Sequence, residues 1–266
     1  MVGVKPILNV SGYRFVELND VALLRESMHS RAHALQLRGT VILAAEGINV
    51  ALSGDRASVQ RFVDELREEA RFADIELKFS ASDTVPFGRL LFKLRREIIR
   101  MNQPVVQPQQ RRAPGVDAAT VARWLSEGRD DQGREVLMLD TRNAFEVDQG
   151  RFAHALDWRL ECFSDFPRAL HERRAELAGK TVVSYCTGGI RCEKAALWMQ
   201  RCGVANVLQL DGGILKYFEL NRPDHFEGAC FVFDQRNALD AALAPVPTPS
   251  VALRHADSVF SDPRPS

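Results

Sequence analysis

The chain lacks several things that would place it quickly. No apolar run approaches the roughly 18–20 residues of a membrane-spanning helix, so a membrane partner is not expected. There is no net charge to exploit: Lys+Arg and Asp+Glu number 35 each, so any nucleic-acid contact must come from a local patch. Five cysteines in 266 residues do not make a disulfide framework and point to a reducing, cytoplasmic compartment. The cysteines and the six histidines show no metal-ligand spacing, so no metal site is expected. Neither G-x-G-x-x-G nor G-x-x-x-x-G-K-[ST] occurs, and no nucleotide or flavin cofactor is evident. The opening stretch MVGVKPILNVSGYRF has one Lys and no long apolar core, unlike a secretory signal.

What is present is ordinary globular composition, 45% hydrophobic and 26% charged, spread over two stretches of different charge. Residues 1–112 carry 17 basic and 13 acidic groups. Between them the segment NQPVVQPQQRRAPG, residues 102–115, has three Pro and four Gln and no helix period, which reads as an extended linker. The chain therefore divides into a domain over 1–101, the linker, a second domain over 116–235, and a tail over 236–266 whose last part, from Pro245, is rich in Pro and Ser. In the first domain, Tyr13–Leu18, Thr40–Ala45, Val50–Leu52, Ile75–Phe79 and Leu90–Ile98 read as strands, with Glu46–Asn49 as a turn. Asp20 is placed to cap a helix to about Leu37, and Asp55 or Ser58 a second through Glu69. The order β-α-β-β-α-β plus one strand predicts a ferredoxin-like α+β sandwich. In the second domain, apolar strands at Val136–Asp140, Thr181–Tyr185 and Val207–Leu210 alternate with helices at Ala118–Ser126, Phe166–Leu177 and from Gly213, which predicts a parallel-sheet α/β fold.

The strongest chemical signal is SYCTGGIRCEK, Ser184–Lys194. Cys186 follows a buried strand at its carboxyl end, where open α/β sheets place their sites. Thr187, Gly188, Gly189 and Ile190 then lead into an amphipathic helix. Two glycines allow a tight turn that aims backbone N–H groups inward, and those groups with the helix N-terminus favour a thiolate. Arg191 adds a fixed positive charge and a fork for two-pronged oxyanion recognition. This is the setting of a nucleophilic cysteine rather than of a core cysteine beside a turn.

The hexapeptide Cys186–Arg191 resembles the active-site loop of rhodanese domains, in which the cysteine takes up a sulfur atom as a persulfide. LDTRNAFEVDQGRF and NVLQLDGGILKY resemble the two flanking rhodanese signatures. The succession YRFVEL, AAEGIN, KLRREII, DTRNAFEV, CTGGIRCEKA, GGILKYFE and GACFVFD is similar to the tRNA uridine hydroxylase family, also classed as rhodanese-related sulfurtransferases. That resemblance implies an acylphosphatase-like first domain and a rhodanese-like second one. It implies oxygen-dependent conversion of the tRNA wobble uridine to 5-hydroxyuridine, with Cys186 as the catalytic residue and the anticodon loop of tRNA as partner. Molecular oxygen is then the cosubstrate; the electron donor and the oligomeric state are not legible.

The remaining candidates lie around that loop. Asp140 and Arg142 sit at the end of a strand on the same side of the sheet as Cys186, and the family pattern implies that Glu146 pairs with Arg142. Asp140 and Glu146 read mainly as structural, Arg142 as structural or functional. Cys192 is either a packed helix cysteine, the commoner case, or a thiol that resolves an oxidised or persulfidated Cys186 as a disulfide. Cys162, Cys202 and Cys230 read as structural. Seven basic residues lie in 89–112 against one acid; Arg89, Lys93, Arg95 and Arg100 on one strand either protect a sheet edge or track RNA phosphates. Two other functions compete with hydroxylation: sulfurtransfer through a Cys186 persulfide, and a non-enzymatic adaptor, which the intact loop disfavours.

Overall fold

The computed structural model describes residues 7–220 and 224–246. The chain forms two compact units, residues 1–113 and 114–266.

In the first unit the elements are β1 (Ile7–Phe15), α1 (Val21–Ala34), β2 (Arg38–Ala44), β3 (Gly47–Gly54), α2 (Arg56–Glu68), β4 (Glu76–Ser82) and β5 (Leu90–Leu94). They form one sheet in the order β4-β1-β3-β2-β5. Its first four strands pair antiparallel, and β5 joins β2 in parallel at the edge. This is the ferredoxin-like arrangement expected. The helix α2 shows why: the Asp55 carboxylate accepts the Ser58 N–H at 3.0 Å, and Val59, Phe62, Val63 and Leu66, spaced three and four apart, are all buried. They pack with Val10, Val41, Ile48 and Leu52 of the sheet.

Several local expectations fail for identifiable reasons. Asp20 stands at the N-cap of α1, but its side chain makes no cap bond and pairs with Arg71 instead, and the helix ends at Ala34 because Gln36 adopts a left-handed φ of 56°. The hairpin turn is at Ala45–Glu46 rather than Glu46–Asn49. Gly47, at φ 145°, is already in β3, and a side chain there would meet the Arg14 carbonyl. Strand β5 stops at Leu94, not Ile98. Buried Glu46 accepts the Ile98 N–H at 2.7 Å, which takes that amide out of any ladder, and beyond it Glu97 accepts those of Met101 and Asn102. Of the basic stripe only Lys93 lies within a strand, and it is partly buried; Arg89, Arg95 and Arg100 are exposed on the flanking turns. The segment read as an extended linker is a succession of turns, closed by Val106 N–H to Gln103 and Gln110 N–H to Gln107.

The second unit contains β6 (Gly115–Val116), α3 (Ala118–Glu127), β7 (Val136–Asp140), α4 (Ala144–Val147), β8 (Gly150–Phe152), β9 (Leu156–Asp157), α5 (Phe166–Arg173), β10 (Thr181–Tyr185), α6 (Ile190–Arg201), β11 (Val207–Leu210), α7 (Gly213–Tyr217), β12 (Phe226–Gly228), β13 (Cys230–Phe231) and β14 (Ala238–Leu239). Five strands form a wholly parallel sheet in the order β6-β11-β10-β7-β9. The central β10 is buried at every residue, as continuous apolar strands of parallel sheets are. The helix expected over Phe166–Leu177 breaks after Arg173 into a 3₁₀ turn. After α7 the chain adds two small ribbons, β12 against β8 and β13 against β14. Of the tail, Pro245 bridges Leu239 and Val246 donates to the Ala238 carbonyl; residues 247–266 lie outside the described residues.

Candidate active site

Register places the site. Tyr185, the last residue of β10, is paired with Asp140, the last of β7, so Cys186 and the Asp140–Arg142 segment leave the sheet side by side. The Thr141 N–H and hydroxyl both bond the Tyr185 carbonyl, at 3.0 and 2.8 Å. On the other side α7 clamps the loop: Ile214 and Leu215 donate to the carbonyls of Cys186 and Thr187. Gly213 makes that approach possible, since with φ 67° a Cβ there would stand 2.4 Å from the Cys186 oxygen.

The Cys186 sulfur accepts the Gly189 N–H at 3.1 Å. Gly189 has φ 105°, a conformation that turns its amide inward and starts α6. Burial opposes ionisation of Cys186. The Cys192 thiol, the positive charge of Arg191 and the amides of Cys192 and Arg191 outweigh it, and the thiol pKa falls to about 5. The ring of donors expected from the glycines and the helix N-terminus is therefore present.

Three features go beyond what the sequence could tell, and the second overturns an expectation drawn from it. First, Cys186 is 0% exposed. The segment after β12 covers the loop, with Thr187 Oγ1 bonded to the Phe231 carbonyl at 3.3 Å and the Phe233 ring 5.7 Å from the Arg191 guanidinium carbon. Phe145, Phe231 and Phe233 pack edge to face. FVFD was noticeable in the sequence, but nothing in its pattern told which surface it covers.

Second, Glu146 does not pair with Arg142. It holds Arg191, whose Nη2 lies 2.7 Å from Oε1 in a buried two-pronged pair. The same carboxylate accepts the Asn143 N–H at 3.0 Å, which starts α4. The Arg191 fork is thus filled by Glu146, so its part at Cys186 is charge rather than a free oxyanion clamp. Third, Arg142 is fully buried on Asp140, with Nη2 at 2.6 Å from Oδ2 and 2.7 Å from the Gly150 carbonyl. Asp140 and Arg142 are a structural pair that ties β7 to β8.

Thr187 and Gly188 are partly exposed and Ile190 begins α6, so the loop runs as a bend over the buried sulfur. Cys192 lies with its sulfur 4.0 Å from that of Cys186. Cys230 is buried in the second core and its thiol is pushed up to about 12 by burial. Among the described residues no group of three or more His, Cys, Asp or Glu is placed to hold a metal ion, and no helix is long and apolar enough to cross a membrane.

A parallel sheet whose central strand delivers a low-pKa cysteine into a glycine turn and helix N-terminus defines a rhodanese-type domain. The rhodanese-like domain family matches residues 121–220, and the UPF0176 acylphosphatase like domain matches residues 7–98. The tRNA uridine(34) hydroxylase of Bordetella avium (strain 197N) is 60% identical over 240 residues, covering 90% of this chain and 99% of that protein. Those of Bordetella pertussis (strain Tohama I) and Variovorax paradoxus (strain S110) are 58% and 55% identical, over 90% and 95% of this chain and 98% and 93% of theirs. With similarity running across both units, this chain belongs to the tRNA uridine(34) hydroxylase family.

Proposed function

We propose that this protein hydroxylates the wobble uridine of tRNA to 5-hydroxyuridine, with Cys186 as the nucleophilic group. The observation that carries the reading is the wholly buried Cys186 sulfur accepting the Gly189 N–H at 3.1 Å at the start of α6, where the Arg191 charge helps to lower its pKa to about 5. A buried thiolate held by a positive charge and aligned amides is a group built to react. The names of the relatives, at 55–60% identity over nearly their whole length, support the substrate class.

In the balanced reaction one oxygen atom of O₂ is inserted between C5 of the uracil ring and its hydrogen, the other leaves as water, and an external donor supplies two electrons and two protons. The anticodon loop offers the base already partly unstacked, as enzymes acting on a base need. Because Cys186 is sealed, the Thr187–Phe231 bond and the Phe233 contact must open before a base reaches the sulfur. Exposed Arg89, Arg95 and Arg100 are the phosphate-tracking candidates, with Lys93 secondary because it is partly buried. The cytoplasm, where tRNA and reduced thiols coexist, is the compartment this chemistry calls for.

Nucleoside mass spectrometry of tRNA from cells lacking the protein, and regaining it as wild type or Cys186→Ser, tests the reading. Wobble 5-hydroxyuridine should fall in the deletion, return with wild type and stay low with Cys186→Ser. An unchanged level in the deletion strain rejects the activity; full restoration by Cys186→Ser rejects the cysteine.

A second reading rests on the same sulfur. An ionised cysteine under backbone amides also suits capture of a sulfane sulfur, making the protein a sulfurtransferase through a Cys186 persulfide. Thiosulfate treatment followed by intact-mass measurement separates the two: no persulfide on Cys186 removes sulfurtransfer.

A further inference from the structure

Cys192 is a buried thiol that helps to ionise Cys186 and has no further part in the hydroxylation. It is the third residue of α6, 0% exposed, with its Sγ 4.0 Å from the Cys186 Sγ and 3.0 Å from the Gly189 carbonyl oxygen. The same Gly189 residue gives its N–H to Cys186. One glycine thus holds both sulfurs, one by its amide and one by its carbonyl. Of the other described cysteines, Cys162 lies beside Ser164 and Asp165, and Cys230 sits on the β13 ribbon.

The two sulfurs are held in opposite states. Burial first, and then the hydrogen bond and charge of ionised Cys186, push the Cys192 thiol well above its ordinary value. The coupling has a chemical consequence. Once the Cys186 sulfur is oxidised it loses its negative charge and becomes an electrophile, and the like charge that kept Cys192 protonated disappears with it. The remaining gap to a disulfide bond, about 2 Å, is of the size a side-chain rotation covers.

We propose that Cys192 is the resolving thiol of Cys186, closing a Cys186–Cys192 disulfide whenever a hydroperoxide oxidises the reactive sulfur. In the first step the peroxide O–O bond breaks, Cys186 becomes a sulfenic acid, and the second oxygen leaves as hydroxide or alkoxide. Cys192 then attacks the Cys186 sulfur. The S–S bond forms, the S–O bond breaks, and the departing hydroxide takes the Cys192 proton and leaves as water. A dithiol reductant returns both thiols and ends as its own disulfide. The device keeps a sealed sulfenic acid from advancing to irreversible sulfinic acid.

The inference rests on the reading of Cys186 as a reactive thiolate, and the test separates the two. Reduced full-length protein, wild type, Cys192→Ser and Cys192→Ala, receives limiting hydrogen peroxide. It is quenched into denaturant containing a 1,3-diketone that captures sulfenic acids, and peptides are read by mass spectrometry. Wild type should yield the linked Cys186–Cys192 peptides, a result that needs no variant. Both variants should carry roughly tenfold more diketone adduct on Cys186 and, on longer exposure, more sulfinic acid. Equal adduct in all three proteins, with no linked peptide, overturns the resolving role and leaves the reactive cysteine standing. No modification of Cys186 in any of them overturns both.

Discussion

Replacing Glu146 by Gln removes one charge from a pair that is almost wholly shut off from water. The carboxylate side chain is 0% exposed and the Arg191 side chain 5%. Deleting one partner of such a pair leaves the other charge buried and unbalanced, which costs about 3–5 kcal/mol. Gln keeps one oxygen able to accept the Asn143 N–H, so the start of α4 is preserved, but its NH2 replaces the oxygen that accepts from Arg191 Nη2, so the loss reports the charge together with that hydrogen bond. For a unit of this size the cost corresponds to a fall in Tm of roughly 6–20 °C. All three tryptophans, Trp124, Trp158 and Trp198, lie in the second unit, so tryptophan fluorescence follows its unfolding without interference from the first. The same change has an opposite effect on the sulfur. With Glu146 neutral, the Arg191 charge acts on Cys186 unopposed, and the thiol pKa should fall below about 5 rather than rise. Exchanging both partners, Glu146→Leu with Arg191→Met, should recover much of the stability, because no charge is then left buried. A loss under about 1 kcal/mol for Glu146→Gln would mean that Arg191 reaches water, and the closed description of the site would be wrong.

Three further outcomes follow from the geometry around the sulfur, and one from the basic residues of the first unit. Arg191→Met should raise the Cys186 pKa from about 5 toward the ordinary 9.0 of a thiol, read as thiolate ultraviolet absorbance against pH; an unshifted midpoint would assign the ionisation to the amides and Cys192. Because the folded pKa lies below the unfolded one, Cys186 makes the second unit more stable as pH rises from about 5 to 9, and its contribution is lost as pH falls back through about 5. Cys186→Ser should flatten that window in urea titrations followed by tryptophan fluorescence. Gly213→Ala should cost at least about 1–2 kcal/mol for the left-handed backbone and displace the Cys186 carbonyl, so the thiolate midpoint should move along with the Tm; an unchanged midpoint would show that the loop holds its shape without α7. Arg89→Ala, Arg95→Ala and Arg100→Ala should each weaken tRNA binding and reduce the log–log salt slope by about 0.7–0.9 for every phosphate left without its arginine. Weaker binding with an unchanged slope would point to a structural role for these residues instead.

Much of this molecule could be read locally. The alternation of Val136–Asp140 and Thr181–Tyr185 with helical stretches named the parallel sheet, because a strand buried on both faces reads as a mainly apolar run without a polar face. The Asp55 cap and the spacing of Val59, Phe62, Val63 and Leu66 named α2 for an equally local reason. Strand ends were less legible. Leu90–Ile98 reads as one strand, yet the Glu46 carboxylate takes its last amide, and Glu46 is 52 residues away from Ile98 in sequence. Asp20 looked like a cap and became the partner of Arg71 for the same reason.

Around Cys186 the division is equally physical. The loop's chemistry belongs to a contiguous run, Cys186–Cys192, in which glycine conformation and a helix start turn the amides onto one sulfur. Those are short-range effects, and the amino-acid order alone carries them. Which acid meets Arg191, and what covers the sulfur, are not short-range. Glu146 stands four residues from Arg142 and 45 from Arg191, yet the parallel pairing of β7 with β10 sets it against the distant arginine, while Asp140 takes the near one. Phe231 and Phe233 reach the loop only because the chain returns after α7. Side-chain partners across a sheet depend on strand register and on the return path of the chain, and only the folded structure holds that information.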